Sequence, residues 1–498
     1  MKPRIASLLL FSLFALSCSL FQPTPTPAPE VSSTPDPLDT PWDDRSIFKD
    51  GLVSSAQWAL DELGGATVYH VELEIADNLS HVNGSEKIRY TNTESQSLNE
   101  VRFRLFPNIL GGKMEVSNLL VDNTTATPRY DLQNSLMIVP IAAPLAPGES
   151  VVIRMDFSVE VPRTVELNYG VLAFDQDVLA LAHAYPMVSV FDEEGWNAEI
   201  PPQEGDVTYA DASFFIVRVT APKGVTVVAS GRRVGFTEAE QTQSVVVASG
   251  PARDFYLAAS PKYVETTINA DGVLIRSYTT ANFSEGSQYL VETAARAIKI
   301  FSARYAPYPY TELDFVSTPT LALGIEYPGM IAITSWIYDM ENVAPNEYLE
   351  ATVAHEVGHQ WFYNLVGDDQ LDDPWLDESL TQFITLQYFI DTYGLAGSEG
   401  FKSSLEFRWD MIARENIPIG LPVEDYDGAT YSGIVYGRGP LFFVALRDAM
   451  GDSSFDAFLK EYTQSLTWKV STPETLQSLA EKNCACELDA IFNEWVYP

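Results

Sequence analysis

From Val68 to Tyr278 apolar side chains recur at every second position, and after Ala281 they recur every third or fourth, so the chain must build two kinds of layer. Tyr69, Val71, Leu73 and Ile75 alternate with His70, Glu72 and Glu74. The same alternation returns at Val101, Phe103 and Leu105, and at Val151, Ile153, Met155, Phe157 and Val159. An alternating strand offers one face to a core and one to water. Further strands are predicted over 214–220, 225–229, 244–248 and 255–259, divided by Gly, Pro and polar turns. Beyond the switch, Leu290, Val291, Ala294, Ile298, Phe301 and Tyr305 share one helical face. Helices are also predicted over 346–366, 376–393, 438–450, 455–466 and 473–483, with short strands at 314–317 and 330–334. The expected fold is multidomain, with an all-β domain over 48–278 and an α+β, mostly helical domain over 279–498. A length of 498 residues accommodates this, and no internal repeat is visible.

Ahead of the first strand, Lys2 and Arg4 precede an uncharged apolar run from Ile5 to Ser17 that ends at Cys18. That run is short for a membrane span, so residues 1–18 are read as an export signal. Ala15-Leu16-Ser17-Cys18 resembles a lipobox, in which the cysteine is lipidated and tethers the protein to a membrane. Residues 19–47 are rich in Pro and Thr and are read as a semi-rigid linker. The expected location is extracytoplasmic, lipid-anchored at the cell surface or periplasmic face, or otherwise secreted. A net charge of -38 repels phosphate backbones, which excludes nucleic acid as a partner class. Cys484 and Cys486, the cysteines remaining after Cys18, are one residue apart. That spacing is strained for a disulfide, and they are read as two small side chains near the C-terminal helices.

Chemistry concentrates at Ala354-His355-Glu356-Val357-Gly358-His359-Gln360-Trp361. Two histidines four apart on a helix project from one face and can reach one ion. Zinc takes imidazole nitrogens, and a catalytic site keeps three protein ligands and one open position. Glu378, within Trp375-Leu376-Asp377-Glu378-Ser379, can supply the third ligand once the intervening loop folds the next helix back. Glu356 then lies where it can deprotonate a water. Asp377 either orients an imidazole or is a helix-starting carboxylate without a metal role. The chain has only five histidines, so a chance H-E-x-x-H is expected in about three per thousand chains of this composition. The pattern therefore predicts one Zn2+ per chain and a hydrolytic reaction. His70, His81 and His183 are assigned to packing in the β-rich part.

These residues resemble the gluzincin aminopeptidases, the family of aminopeptidase N and leukotriene hydrolase. Gly324-Ile325-Glu326-Tyr327-Pro328-Gly329 looks like a variant of that family's exopeptidase motif, and Tyr431-Ser432-Gly433-Ile434-Val435-Tyr436 resembles the segment carrying its tyrosine. The resemblance implies a saddle-like β domain before a thermolysin-like catalytic domain. It further implies that Glu326 binds a free α-amine, that Gly324 and Tyr431 line the substrate site, and that Tyr436 stabilises an oxyanion. Peptides are the implied substrates, trimmed from the amino end. The sequence departs from the family at Ile325 and Tyr327 and shows no counterpart of the glutamine that helps hold the amine. The chain also ends about sixty residues after Tyr436, where larger members continue into a helical domain, so a short form is expected. Two alternatives stand beside this reading. One is an endopeptidase or other zinc hydrolase with the same metal site; the other is a catalytically idle surface binding protein of the same fold.

Overall fold

Alternation is visible directly in the burial of Ser150–Glu160, where Val151, Ile153, Met155, Phe157 and Val159 point inward and their neighbours outward. This strand lies inside an eight-stranded sheet ordered 232–238, 242–252, 213–222, 68–75, 81–91, 150–160, 113–121 and 124–125. Two four-stranded sheets pack on its inner face, one built on 98–104 and 136–145 and the other on 178–182 and 256–260. Phe103, Met137, Val139, Ile153, Leu179 and Phe215 meet between them in one apolar core. The computed structural model describes residues 36–339 and 348–497. Residues 1–18 with Cys18, and most of the stretch read as linker, lie outside the described residues. Within 19–47, the part from 37 onward folds against the β core: Leu38 is buried, and Trp42 stacks on His70 with ring centroids 4.4 Å apart.

A five-stranded sheet opens the second half, in the order 264–270, 273–279, 312–318, 330–334 and 324–327. The alternating residues 264–279, assigned from the sequence to the β-rich domain, therefore pair with the sheet of the helical part. Periodicity identifies a strand but not its partner, so the sheet that these strands join is not legible from alternation. Strands 273–279, 312–318 and 330–334 run parallel, and 324–327 returns antiparallel along 330–334 as an edge.

Ser284–Arg304 covers this sheet, burying Leu290, Val291, Ala294 and Phe301 as the helical spacing requires. The helix carrying His355 is Leu349–Gly358, with His359 as its C-cap; it is shorter than the predicted 346–366, and its predicted start lies outside the described residues. The next helix, predicted over 376–393, begins as a π-helical turn at Trp375–Ser379 and continues as Leu380–Met411. Gly394 interrupts it at φ 72°, a backbone conformation that glycine adopts without steric cost. Gly358 lets the two helices meet, since a Cβ there would lie 2.8 Å from Thr381 and 2.9 Å from Ile384.

The cysteine reading is corrected: Cys484 and Cys486 form a disulfide. Ala485 between them adopts a left-handed conformation at the end of helix Pro473–Cys484, and the two Cα atoms stand 5.2 Å apart, inside the range a disulfide bridges. Among the described residues no helix is long and apolar enough to cross a membrane.

Candidate metal centre and cleft

Three ligand atoms converge at the helix junction. His355 Nε2 and His359 Nε2 lie 3.1 Å apart, and Glu378 Oε2 lies 3.2 Å from the first and 3.4 Å from the second. A tetrahedral ion with bonds of 2.0–2.1 Å needs its ligands about 3.3 Å apart, so the triangle already has the dimensions zinc requires. Glu378 Oε2 has no hydrogen-bond donor among the described residues, although it is buried. Burial opposes charge on His359, yet the carboxylates of Glu326 and Glu378 beside it hold its pKa well above the ordinary value. Burial likewise opposes charge on Glu378, and His359 and His355 together hold its pKa below the usual carboxylate range. Two imidazole nitrogens and a carboxylate oxygen at these separations call for a cation, and the donor set fits Zn2+.

The ligands are held from behind. His359 Nδ1 lies 3.0 Å from the Phe362 carbonyl and 3.4 Å from Thr381 Oγ1, which fixes the ring. Asp377, one reading of which made it the imidazole's partner, makes no hydrogen bond to a histidine. It accepts from Gln370 Nε2 at 2.8 Å and from the Glu378 backbone N–H at 2.6 Å.

Glu356 is 4% exposed, and its Oε2 has no hydrogen-bond donor among the described residues. Burial, and then the neighbouring charge of Glu326, push its pKa well above the ordinary value. The edge strand Gly324–Tyr327 runs directly against it: a Cβ on Gly324 would fall 2.4 Å from Glu356 Oε1. Gln360 positions this strand by donating to the Tyr327 carbonyl at 3.1 Å and accepting from the Gly329 N–H at 2.9 Å. Glu326 consequently stands beside His359, its Oε1 3.9 Å from Nδ1.

Two groups that the sequence did not single out complete this end. Asp206 comes from the irregular loop between the β strands, and one of its oxygens lies within 4.8 Å of ligand atoms of Glu326 and Asp377. Gln370 Nε2 reaches Glu326 Oε1 at 3.4 Å. Neither sits in a periodic element or a recognisable motif, so nothing in the local sequence marks it. At the other end Tyr436, on the π turn Ile434–Arg438, donates its hydroxyl to Glu378 Oε1. The Tyr431 ring lies 5.7 Å from the Tyr436 ring, its own hydroxyl buried without a partner among the described residues.

His355, Glu356, Glu378, Gly324, Glu326, Asp206, Gln370, Tyr431 and Tyr436 line one cleft of about 1810 Å³, with His359 and Asp377 behind its wall. His183, assigned to packing, also lines it. Its Nε2 lies 2.7 Å from Thr208 Oγ1, and burial lowers its pKa to about 3, so it is neutral. His70 and His81 lie away from this cleft.

Residues 289–495 match the Peptidase family M1 domain. Aminopeptidase M1-A of Oryza sativa subsp. japonica is 25% identical over 244 residues, 47% of this chain and 28% of that protein. Aminopeptidase N of Lactococcus lactis subsp. lactis is 24% identical over 238 residues, 45% of this chain and 28% of that protein. The chain thus spans less than a third of the length of these curated relatives. The crystal structure of an M1 zinc metallopeptidase from Deinococcus radiodurans superposes with a TM-score of 0.66 at 19% identity, covering 90% of this chain and 95% of that one. A mutant of that metallopeptidase bound to a Tyr-Ser-Ala substrate superposes with a TM-score of 0.67 at 19% identity, covering 86% and 93%. This likeness shows a shared two-part fold.

Proposed function

The chain belongs to peptidase family M1, and from that premise we propose that it is a zinc-dependent aminopeptidase that removes single residues from the amino end of peptides. One observation carries the reading: a three-atom metal site of tetrahedral dimensions lies beside a buried Glu356 with one free carboxylate oxygen and beside the carboxylates of Glu326 and Asp206. Zinc held by His355, His359 and Glu378 supplies Lewis acidity toward the scissile carbonyl and brings the pKa of the attacking water to about 7.

The protein's own groups do the rest. Glu326, assisted by Asp206, accepts the substrate's α-ammonium in a charge-assisted hydrogen bond, which places the first peptide bond over the metal centre. Glu356 takes the proton of the attacking water at its free carboxylate oxygen and delivers it to the departing amine. Tyr436 turns its hydroxyl from Glu378 to the developing oxyanion. Gln370 and Asp377 hold Glu326 and the Glu378 backbone in place. The apolar rim and the volume of the cleft suit a peptide of several residues, and a tripeptide is the substrate named for the Deinococcus radiodurans structure.

The test compares one peptide with a free and an N-acetylated amine. Hydrolysis of the free form alone, lost in Glu326→Ala, supports the reading. Equal cleavage of both forms identifies an endopeptidase on the same metal site. Export and anchoring through Cys18 extend the proposal and rest on the apolar run and the lipobox-like residues. Incorporation of labelled palmitate in wild type, lost in Cys18→Ser, supports them; an unlabelled wild type removes the anchor.

A further inference from the structure

Arg408 is the one Lys or Arg among the described residues that line the cleft, whereas eight acidic side chains line it. In a chain of 30 basic and 68 acidic residues, cations are scarce and most of the buried ones are paired or solvated by carbonyls. Arg408 differs. Among the described residues it pairs with no carboxylate; its Nη1 donates to Ser432 Oγ at 2.9 Å, and its guanidinium carbon stands 5.7 Å from the centre of the Tyr436 ring. A guanidinium carries five N–H donors in a planar fork, so most of this fork remains available to a ligand.

Position gives the fork its meaning. Glu326 reaches the site at His359, and Arg408 reaches it through Tyr436, whose hydroxyl meets Glu378. The cleft therefore sets a carboxylate beside His359 and its one cation among the described residues beside Tyr436. The ring separation places the guanidinium within about three residue lengths of the Tyr436 hydroxyl, at 3.3–3.6 Å per extended residue. A carboxylate bound there belongs to the first or second residue after the scissile bond.

We propose that Arg408 binds the free C-terminal carboxylate of short substrates, which makes dipeptides and tripeptides the preferred class. This rests on the aminopeptidase reading and narrows it. The acidic side chains that line the cleft disfavour a carboxylate beside them, so the same feature that anchors short peptide acids disfavours chains whose own acidic side chains fall near them.

The experiment uses the zinc-loaded protein and three forms of one tripeptide: free at both ends, amidated at the C-terminus, and N-acetylated. Wild type is expected to favour the free acid over the amide in kcat/KM by roughly 10- to 100-fold, mostly through KM, as a charge-assisted bond predicts. Arg408→Met collapses that ratio to near unity, and Arg408→Lys retains part of it. Binding of acid and amide to the Glu356→Gln protein, read by calorimetry, should show the same ratio without turnover. Equal use of acid and amide by wild type overturns the inference. So does an Arg408→Met protein in which both forms fall together with the ratio intact, since Arg408 would then only support Tyr436. Failure of the underlying reading is separate and shows as cleavage of the N-acetylated form.

Discussion

Ser379 donates its hydroxyl to the backbone carbonyl of Val435 at 2.6 Å and so ties together the two π turns on which Glu378 and Tyr436 stand. A π turn carries an extra residue, which rotates the following side chains relative to a regular helix and recurs at functional sites. Here both turns aim one side chain at the same metal centre. Gly439 backs onto the joint, because a Cβ there would fall 1.9 Å from Ser379 Oγ.

Removing that bond should loosen the alignment of Tyr436 with Glu378 while the fold persists. Ser379→Ala is expected to lower kcat by about tenfold, the rate equivalent of one lost hydrogen bond, with KM and zinc content little changed. Gly439→Ala should be the more severe change, lowering both Tm and kcat, because the methyl must displace Ser379. Zinc analysis, thermal melts and steady-state kinetics on the two variants check this. Equal, wild-type kinetics in both would show that the π turns are held by other contacts.

The close approach of Gly324 to Glu356 leads to a second expectation. A methyl group on Gly324 needs the space that Glu356 Oε1 occupies, so Gly324→Ala must push either the carboxylate or the edge strand that carries Glu326. Misplacement of a reacting group by about 1 Å costs on the order of 100-fold in rate. The expected result is a drop of that order in kcat/KM at full zinc occupancy. Retained activity would mean that the strand and Glu356 can part without consequence.

These two glycines show what the sequence makes legible and what it conceals. His355, Glu356, His359 and Glu378 are readable because helical geometry alone fixes how residues four apart project, and a loop and one further turn bring the third ligand. The strands are readable because alternation is a one-dimensional property. Partnering is three-dimensional, which is why the sheet that 264–279 join is not legible from alternation and why the Cys484–Cys486 bridge was discounted from spacing without the left-handed Ala485. Asp206 and Gln370 enter the site on irregular segments, and Arg408 becomes notable only when the other lining residues prove to hold no second cation.

Metal removal separates the ligands from the base. Chelation should abolish hydrolysis and lower Tm, since an ion bound only by the folded state stabilises it by mass action. Glu356→Gln should keep stoichiometric zinc and lose about 100- to 10,000-fold in kcat, the contribution typical of general base catalysis. His355→Ala and Glu378→Ala should lose the zinc itself. Metal analysis beside activity distinguishes the cases, and a fully active Glu356→Gln protein would remove that residue from the proton transfer.

Far from the cleft, Glu86 provides a pH prediction. It faces inward from strand 81–91, opposite Val71, is 2% exposed, and neither of its oxygens has a hydrogen-bond donor among the described residues. Burial pushes its pKa well above the ordinary carboxyl value, so the folded protein holds this group protonated where the unfolded chain releases the proton. The sign follows from linkage: the stability tied to Glu86 is whole below the unfolded pKa of about 4.3 and is lost as pH rises through the folded value. Gln has the same shape and no proton to lose. Glu86→Gln should therefore raise Tm by a margin that is small near pH 5 and grows toward about pH 8. Thermal melts of both proteins across that range test it, and a margin that shrinks with rising pH would show that Glu86 is ionised in the fold and stabilised by a partner.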